Sequence, residues 1–209
     1  MGRSKVRANR EKALFSHIFN KARKWGHTAS QNPCQGVKGF KEAGRSRYVT
    51  DAEFAKVRAH AHFTVVDAMD LALLTAQRPA DVLKLRCTDL RDGALWVVQN
   101  KTGARLGIEV TGELAEVIAR ISARPRRAIT PYLIQDENGQ PISQLALRSR
   151  FDKARELAKV SFQFRDLRAK AATDTGDLAH SQKLLAHKNR EMTEHYIKTR
   201  LGERVKPLR

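Results

Sequence analysis

The sequence predicts a mostly α-helical protein of the α+β class with a small antiparallel β-sheet. Three observations lead there. Apolar residues recur at helical spacing along most of the chain, and several of these stretches begin at capping residues. One pair of strand-like runs, 94–99 and 106–110, flanks the turn Asn100-Lys101-Thr102-Gly103 and reads as a hairpin. There is no internal repeat.

Residues 8–27 carry Leu14, Ile18, Ala22 and Trp25 at helical spacing between lysines and arginines, an amphipathic helix whose stripe is too small to form a core alone. Asn32-Pro33 and the Gly-rich basic run from Gly36 to Arg47 form the one credible linker, dividing the chain into residues 1–45 and 46–209. Thr50-Asp51-Ala52-Glu53 is a capping box and starts a helix. A second apolar helix runs through Val65, Val66, Met69, Ala72 and Leu73 and stops near Gln77. Pro79 suits the first turn of a short helix carrying Val82, Leu83 and Leu85. After the hairpin, Thr111 caps a helix bearing Leu114, Val117, Ile118 and Ile121. Tyr132-Leu133-Ile134 is a short strand or extended piece, closed by a turn from Asp136 to Pro141, and Ser143 caps a helix to about Ala158. Three more helices follow: one beginning at Arg165 and Arg168, one carrying His187 after Asp177 as N-cap, and one carrying Tyr196.

The 209 residues give room for one domain of typical size plus a fragment, and 41% hydrophobic residues suffice for a core. Lys and Arg number 40 against 22 Asp and Glu, a net charge of +18. Such an excess favours a polyanionic partner, DNA or RNA, over an ordinary basic protein such as a ribosome-associated enzyme. Cys34 and Cys87 are far apart and supply neither a zinc ligand set nor a disulfide framework, so no metal and no cofactor are expected, and the thiols suit a reducing cytoplasm. No run of eighteen apolar residues exists, the first residues lack the apolar core of a signal peptide, and Val6 spoils an acylation signal. The expectation is a soluble, cytoplasmic protein with no membrane partner.

The chemistry concentrates between Phe164 and Tyr196. Two arginines three apart (Arg165 and Arg168), an imidazole (His187) and a phenol (Tyr196) arrive in that order. Guanidiniums bind phosphate oxygens in a planar, bidentate way. A tyrosine hydroxyl can be a covalent nucleophile, and a nearby imidazole can manage its proton. The set suits attack on a phosphodiester without a metal. Blander readings stand beside it: His187 as a helix-end histidine held by the C-terminal dipole, Tyr196 as a core residue, and Arg165 as a DNA-backbone contact contributing binding alone. His180, His195, Tyr48 and Tyr132 are weaker candidates, lying outside the pattern.

Arg165-Asp166-Leu167-Arg168, Leu184-Leu185-Ala186-His187 and Met192-Thr193-Glu194-His195-Tyr196 resemble the tyrosine recombinase (phage integrase) family, whose pattern is His-x-x-Arg, Leu-Gly-His and a tyrosine nine residues beyond that histidine. Thr75-Ala76-Gln77-Arg78-Pro79-Ala80-Asp81 resembles the family's Thr-Gly-x-Arg-x-x-Glu/Asp box. Arg165 stands where the family usually has histidine, alanines 76 and 186 stand where it has glycine, and the stretch between Arg168 and His187 is a few residues short. Arg165 cannot act as a base near neutral pH.

The resemblance implies a tyrosine recombinase catalytic fold over 46–209. Residues 1–45 would be the last helix or two of a SAM-like core-binding domain plus linker, its beginning missing. The implied catalytic set is Arg78, Lys101, Arg165, Arg168, His187 and Tyr196. Arg78 and Arg168 would clamp the scissile phosphate and stabilise its pentacovalent transition state, with Arg165 a third donor and Asp81 orienting Arg78. A helix-surface aspartate is the rival reading of Asp81. Lys101 would protonate the leaving 5′ oxygen, with Arg105 its nearest competitor; Lys101, Arg105 and Arg165 would also bind DNA. Tyr196 would form the 3′-phosphotyrosine.

Implied partners are double-stranded DNA bearing recombination sites, a homotetramer on that DNA exchanging strands through a Holliday junction, and an accessory directionality protein. The implied setting is integration or excision of a prophage or related mobile element. Two alternatives stay open. A type IB topoisomerase-like relaxase would use a closely similar set of groups. A truncated, catalytically defective integrase remnant would bind DNA without cutting it.

Overall fold

The computed structural model describes residues 4–42, 47–125 and 130–197. Part of the predicted linker (43–46) and the basic stretch from Lys198 onward lie outside the described residues. The chain divides into two compact units, residues 1–45 and 46–209.

The first unit is one helix and an extended return. Helix α1 spans Lys5–Lys24 and buries none of its residues. Leu14, Phe15 and Ile18 stay exposed, as does Trp25 just beyond the helix. Polar side chains hold the return segment: Asn9 exchanges hydrogen bonds with the backbone of Phe40, and the buried Asn32 donates to Ser16 and Asn20.

The second unit holds the core. Its helices are α2 (Asp51–His60), α3 (Phe63–Thr75), α4 (Pro79–Val82), α5 (Gly112–Ser122), α6 (Gln144–Leu157), α7 (Asp166–Asp174), α8 (Leu178–Leu185) and α9 (Arg190–Ile197). Strands β1 (Leu90–Arg91), β2 (Ala94–Val98) and β3 (Arg105–Glu109) form an antiparallel sheet in the order β1-β2-β3. The mostly α architecture with a small antiparallel sheet is as the sequence predicts. Among the described residues no helix is long and apolar enough to cross a membrane.

Local chemistry explains the elements. The capping box at α2 forms in full: Thr50 Oγ1 accepts from Glu53 N, and Glu53 accepts from Thr50 N. Ser143 and Asp177 cap α6 and α8 through their side chains, whereas Thr111 makes no side-chain cap bond to α5. Helix α3 is apolar nearly all round and lies at the centre, packed on α5, α6 and α7. Its two buried carboxylates, Asp67 and Asp70, are answered by Arg58, Arg120 and Arg124, which fasten α2, the end of α5 and the residues just after it to α3.

The sheet has one more strand than the predicted hairpin, since β1 pairs Leu90 with Leu95. Residues 132–134 form no strand: Tyr132 makes a single bridge to Arg86, and Leu133 N donates to Leu85 O at 2.8 Å. Along β2, Leu95 and Val97 point inward while Trp96 and Val98 face out. Trp96 lies across Gly107, where a Cβ would come within 3.3 Å of the indole ring.

Candidate active site

Arg168 is the centre of the site. It sits in the first turn of α7 and is only 4% exposed. One Nη1 proton goes to the carbonyl of Ala76, at the C-terminus of α3, and Nη2 donates at 2.8 Å to the carbonyl of Leu185, the last residue of α8. Two helix C-termini therefore converge on one guanidinium, with their negative dipole ends toward a cation. Burial, and after it the positive charge of Arg78, pull Arg168 down to about 10, so it stays a cation at neutral pH. Its Nε is buried and has no hydrogen-bond partner among the described residues.

Both helices stop where an alanine takes the left-handed conformation: Ala76 has φ 53° and Ala186 φ 52°. These are the two positions where the resemblance expects glycine, and the backbone supplies the reason. The turn at Ala186 also corrects the expected position of His187. It lies past the end of α8, with its backbone N–H donating to Gln182 O.

His187 Nε2 faces Arg168 Nη2 at 3.5 Å, and Nδ1 lies 3.1 Å from Thr193 Oγ1 in α9. Burial first, then the charges of Arg168 and Arg78, depress His187 to about 4. The imidazole is therefore neutral at pH 7, which removes the reading as a dipole-stabilised imidazolium. A neutral ring that accepts a hydrogen bond from Arg168 at Nε2 carries its proton on Nδ1 and donates it in a hydrogen bond to Thr193.

Tyr196 lies half-buried near the end of α9, its ring centroid 5.4 Å from that of His187. It packs against a small apolar cluster of Ala76, Ala171, Ala172 and Leu185. The phenol interacts with the Arg168 guanidinium and favours its charged form.

Arg78 precedes α4 and is three-quarters buried. Its Nη1 donates to Gln99 Oε1 at 3.2 Å and stands 3.8 Å from Asp81 Oδ2. Asp81 is fully buried rather than on a helix surface, and its Oδ1 accepts from Asn100 N at 2.8 Å, tying α4 to the hairpin turn.

The structure thus brings Arg78, Asp81, Arg168, His187 and Tyr196 together. Lys101 lies in the turn between β2 and β3, two residues beyond Gln99, and Arg105 begins β3 opposite Val98. Both side chains are exposed, and among the described residues neither has a hydrogen-bond or ion-pair partner. Arg165 is not in the cluster. It is exposed at the N-cap of α7 and lines a cleft of about 450 Å³ with Pro79, Gln144, Arg148 and Arg155. Tyr48 is engaged with Asp174, Tyr132 lies under Arg86, and His180 and His195 are exposed.

Sequence reasoning missed Gln77 and Gln99, each 1% exposed and bonded to one another. One signal was available. Gln99 continues the inward phase of Leu95 and Val97, so a polar side chain was due on the core face of the sheet. Nothing comparable marked Gln77 or Thr193.

The model of the phage integrase family matches residues 51–202. The integrase of Escherichia phage HK022 is 29% identical over 199 residues, covering 88% of this chain and 55% of that protein. Prophage integrase IntE of Escherichia coli (strain K12) is 27% identical over 209 residues, with the same shares. The chain spans about half the length of the curated relatives it matches. A solved lambda integrase dimer bound to a COC′ core site superposes with a TM-score of 0.84 at 23% identity, over 97% of this chain and 62% of that one. A lambda integrase tetramer bound to a Holliday junction gives 0.80 at 24% identity, over 93% and 60%. The likeness to these two structures is one of fold.

Proposed function

The chain belongs to the phage integrase family, and from that premise we propose that it cuts and rejoins double-stranded DNA at specific sites through a 3′-phosphotyrosine. The observation that carries this reading is the meeting of two cations, a neutral imidazole and a phenol at the ends of α3 and α8.

In the proposed step, Tyr196 Oη attacks phosphorus and the P–O5′ bond breaks. The phenolic proton passes to Nε2 of neutral His187, which gives up its contact with Arg168 to take it, and Lys101 protonates the departing 5′ oxygen. Arg78 and Arg168 stabilise the added charge on the non-bridging oxygens, each such donor contributing on the order of 3 kcal/mol to the transition state. Attack by a 5′ hydroxyl on the phosphotyrosine reverses every bond change. Phosphodiester bonds are conserved, so the reaction takes neither ATP nor a metal.

Residues 1–45 are, on this reading, the end of a core-binding domain plus linker. The working assembly is a homotetramer on paired sites, by analogy with the solved lambda assembly on a Holliday junction. It acts in the cytoplasm, and a directionality protein is a further partner. One observation favours the binding-only remnant: Arg165, at the position of the usual histidine, is exposed, stands apart from the cluster and cannot accept a proton.

Nicked, partly randomised duplexes test the choice, because cleavage next to the nick releases a short oligonucleotide and blocks reversal. The expected result is a denaturant-resistant protein–DNA adduct enriched for particular sequences and lost in Tyr196→Phe. Salt-sensitive binding without an adduct would favour the remnant. Adducts without sequence preference, with plasmid relaxation, would favour the relaxase.

A further inference from the structure

Gln99 offers a neutral acceptor to a cation that the proposed chemistry needs at full charge. Its Oε1 accepts from Arg78 Nη1 at 3.2 Å and from Thr102 Oγ1 at 2.8 Å. Its Nε2 donates to Gln77 Oε1 at 2.9 Å and to the carbonyl of Leu185 at 3.1 Å. Gln77 Nε2 in turn donates to the carbonyls of Thr75 at 2.7 Å and Leu184 at 3.1 Å. Every polar atom of the Gln99 amide is thus used, in a site 1% exposed. The orientation is also determined. A flipped Gln99 amide would turn its NH2 toward the Arg78 guanidinium, which can only donate, and its oxygen toward two acceptors, Gln77 Oε1 and the Leu185 carbonyl.

Two features make this more than packing. The Leu185 carbonyl takes hydrogen bonds from both Gln99 and Arg168, so one oxygen registers the two arginine positions against each other. Gln99 also lies nearer to Arg78 than Asp81 does, 3.2 Å against 3.8 Å. A buried carboxylate at hydrogen-bond distance would cancel the guanidinium's charge; an amide orients it and leaves the charge free. Satisfied buried networks of this kind rigidify what they touch.

We propose that Gln99, seated by Gln77, is the positioning residue that aims Arg78 at the scissile phosphate and keeps it in register with Arg168. The proposal rests on the phosphoryl-transfer reading above. Its test is Gln99→Met, which keeps the volume and removes all four hydrogen bonds. DNA affinity should stay within about twofold, while single-turnover cleavage of the nicked duplex slows by about ten- to a hundredfold, as expected for a misaimed donor. A neutral methylphosphonate at the scissile position removes the charge that Arg78 answers, so there the deficit should shrink.

The Arg78 Nε–H signal in NMR reads the positioning without any turnover, and it should lose order in Gln99→Met. Surface Thr102→Val removes the other donor to the same oxygen without threatening the fold, and should loosen Arg78 to a smaller degree. An Arg78 as ordered as in wild type in both variants overturns the proposal, as does an equal cleavage deficit on the phosphodiester and the methylphosphonate. A wild-type protein that forms no adduct, yet whose Arg78 disorders in Gln99→Met, keeps the positioning role and removes only the reaction.

Discussion

The Arg168 guanidinium ends two helices at once, and that single arrangement accounts for much of the site's electrostatics. A cation this buried is tolerated because carbonyl dipoles answer it without neutralising it, and the positive field it makes with Arg78 is what depresses His187 beyond the effect of burial. The sign of the stability effect follows. The unfolded chain protonates His187 near its ordinary value, whereas the folded chain resists until about 4. Between those values the unfolded state binds more protons, so stability falls as pH drops through the window. His187→Asn should flatten that part of the fall, seen as a smaller loss of Tm between pH 7 and 5 than in wild type; parallel curves would count against it. The left-handed alanines make a second prediction. Ala186→Gly should raise the unfolding free energy by about 1 kcal/mol in chemical denaturation, because it relieves a φ of 52° at a half-buried position. Ala76→Gly should gain less, since its methyl belongs to the cluster beneath Tyr196. Most of these residues were legible in the sequence because their types and spacings are unusual together. The glutamine pair was not, because an amide's role depends on which carbonyls the fold brings to it.

At the scale of elements, the hairpin turn carries Lys101 between two anchors: Asp81 accepts from Asn100 N, and Gln99 accepts from Thr102. A lysine on so anchored a turn can deliver a proton repeatedly to one place. Lys101→Ala should slow cleavage of an ordinary phosphodiester by about a hundredfold or more, the range for losing a general acid. It should act at nearly the wild-type rate on a substrate whose bridging 5′ oxygen is sulfur, since a thiolate leaves without a proton. Equal losses on both substrates would remove the general-acid role. Helix starts were readable because caps at Thr50, Ser143 and Asp177 use local side chains. Strand β1 was not, because two residues carry no periodicity and exist as a strand only through pairing with β2. The end of α8 before His187 was missed for a related reason: an alanine in place of glycine hides the left-handed stop.

At the scale of the molecule, a net charge of +18 on 209 residues suits long-range attraction to a polyanion, and on the proposed reading a handful of buried groups would supply the chemistry. The fold class was legible because composition, periodicity and caps agreed. The proposed homotetramer rests on the family resemblance rather than on composition or periodicity, because target specificity and assembly are spread over many surface contacts that no single motif marks. What separates a DNA-cutting integrase from a basic DNA-binding protein of the same fold is one bond. The most direct measurement is therefore mass spectrometry of the trapped adduct after nuclease and protease digestion. The expected result is a nucleotide joined through its 3′-phosphate to the peptide containing Tyr196, with a free 5′ hydroxyl on the released strand. A phosphate joined to any other residue, or to Tyr196 through a 5′ end, would contradict the proposed attack.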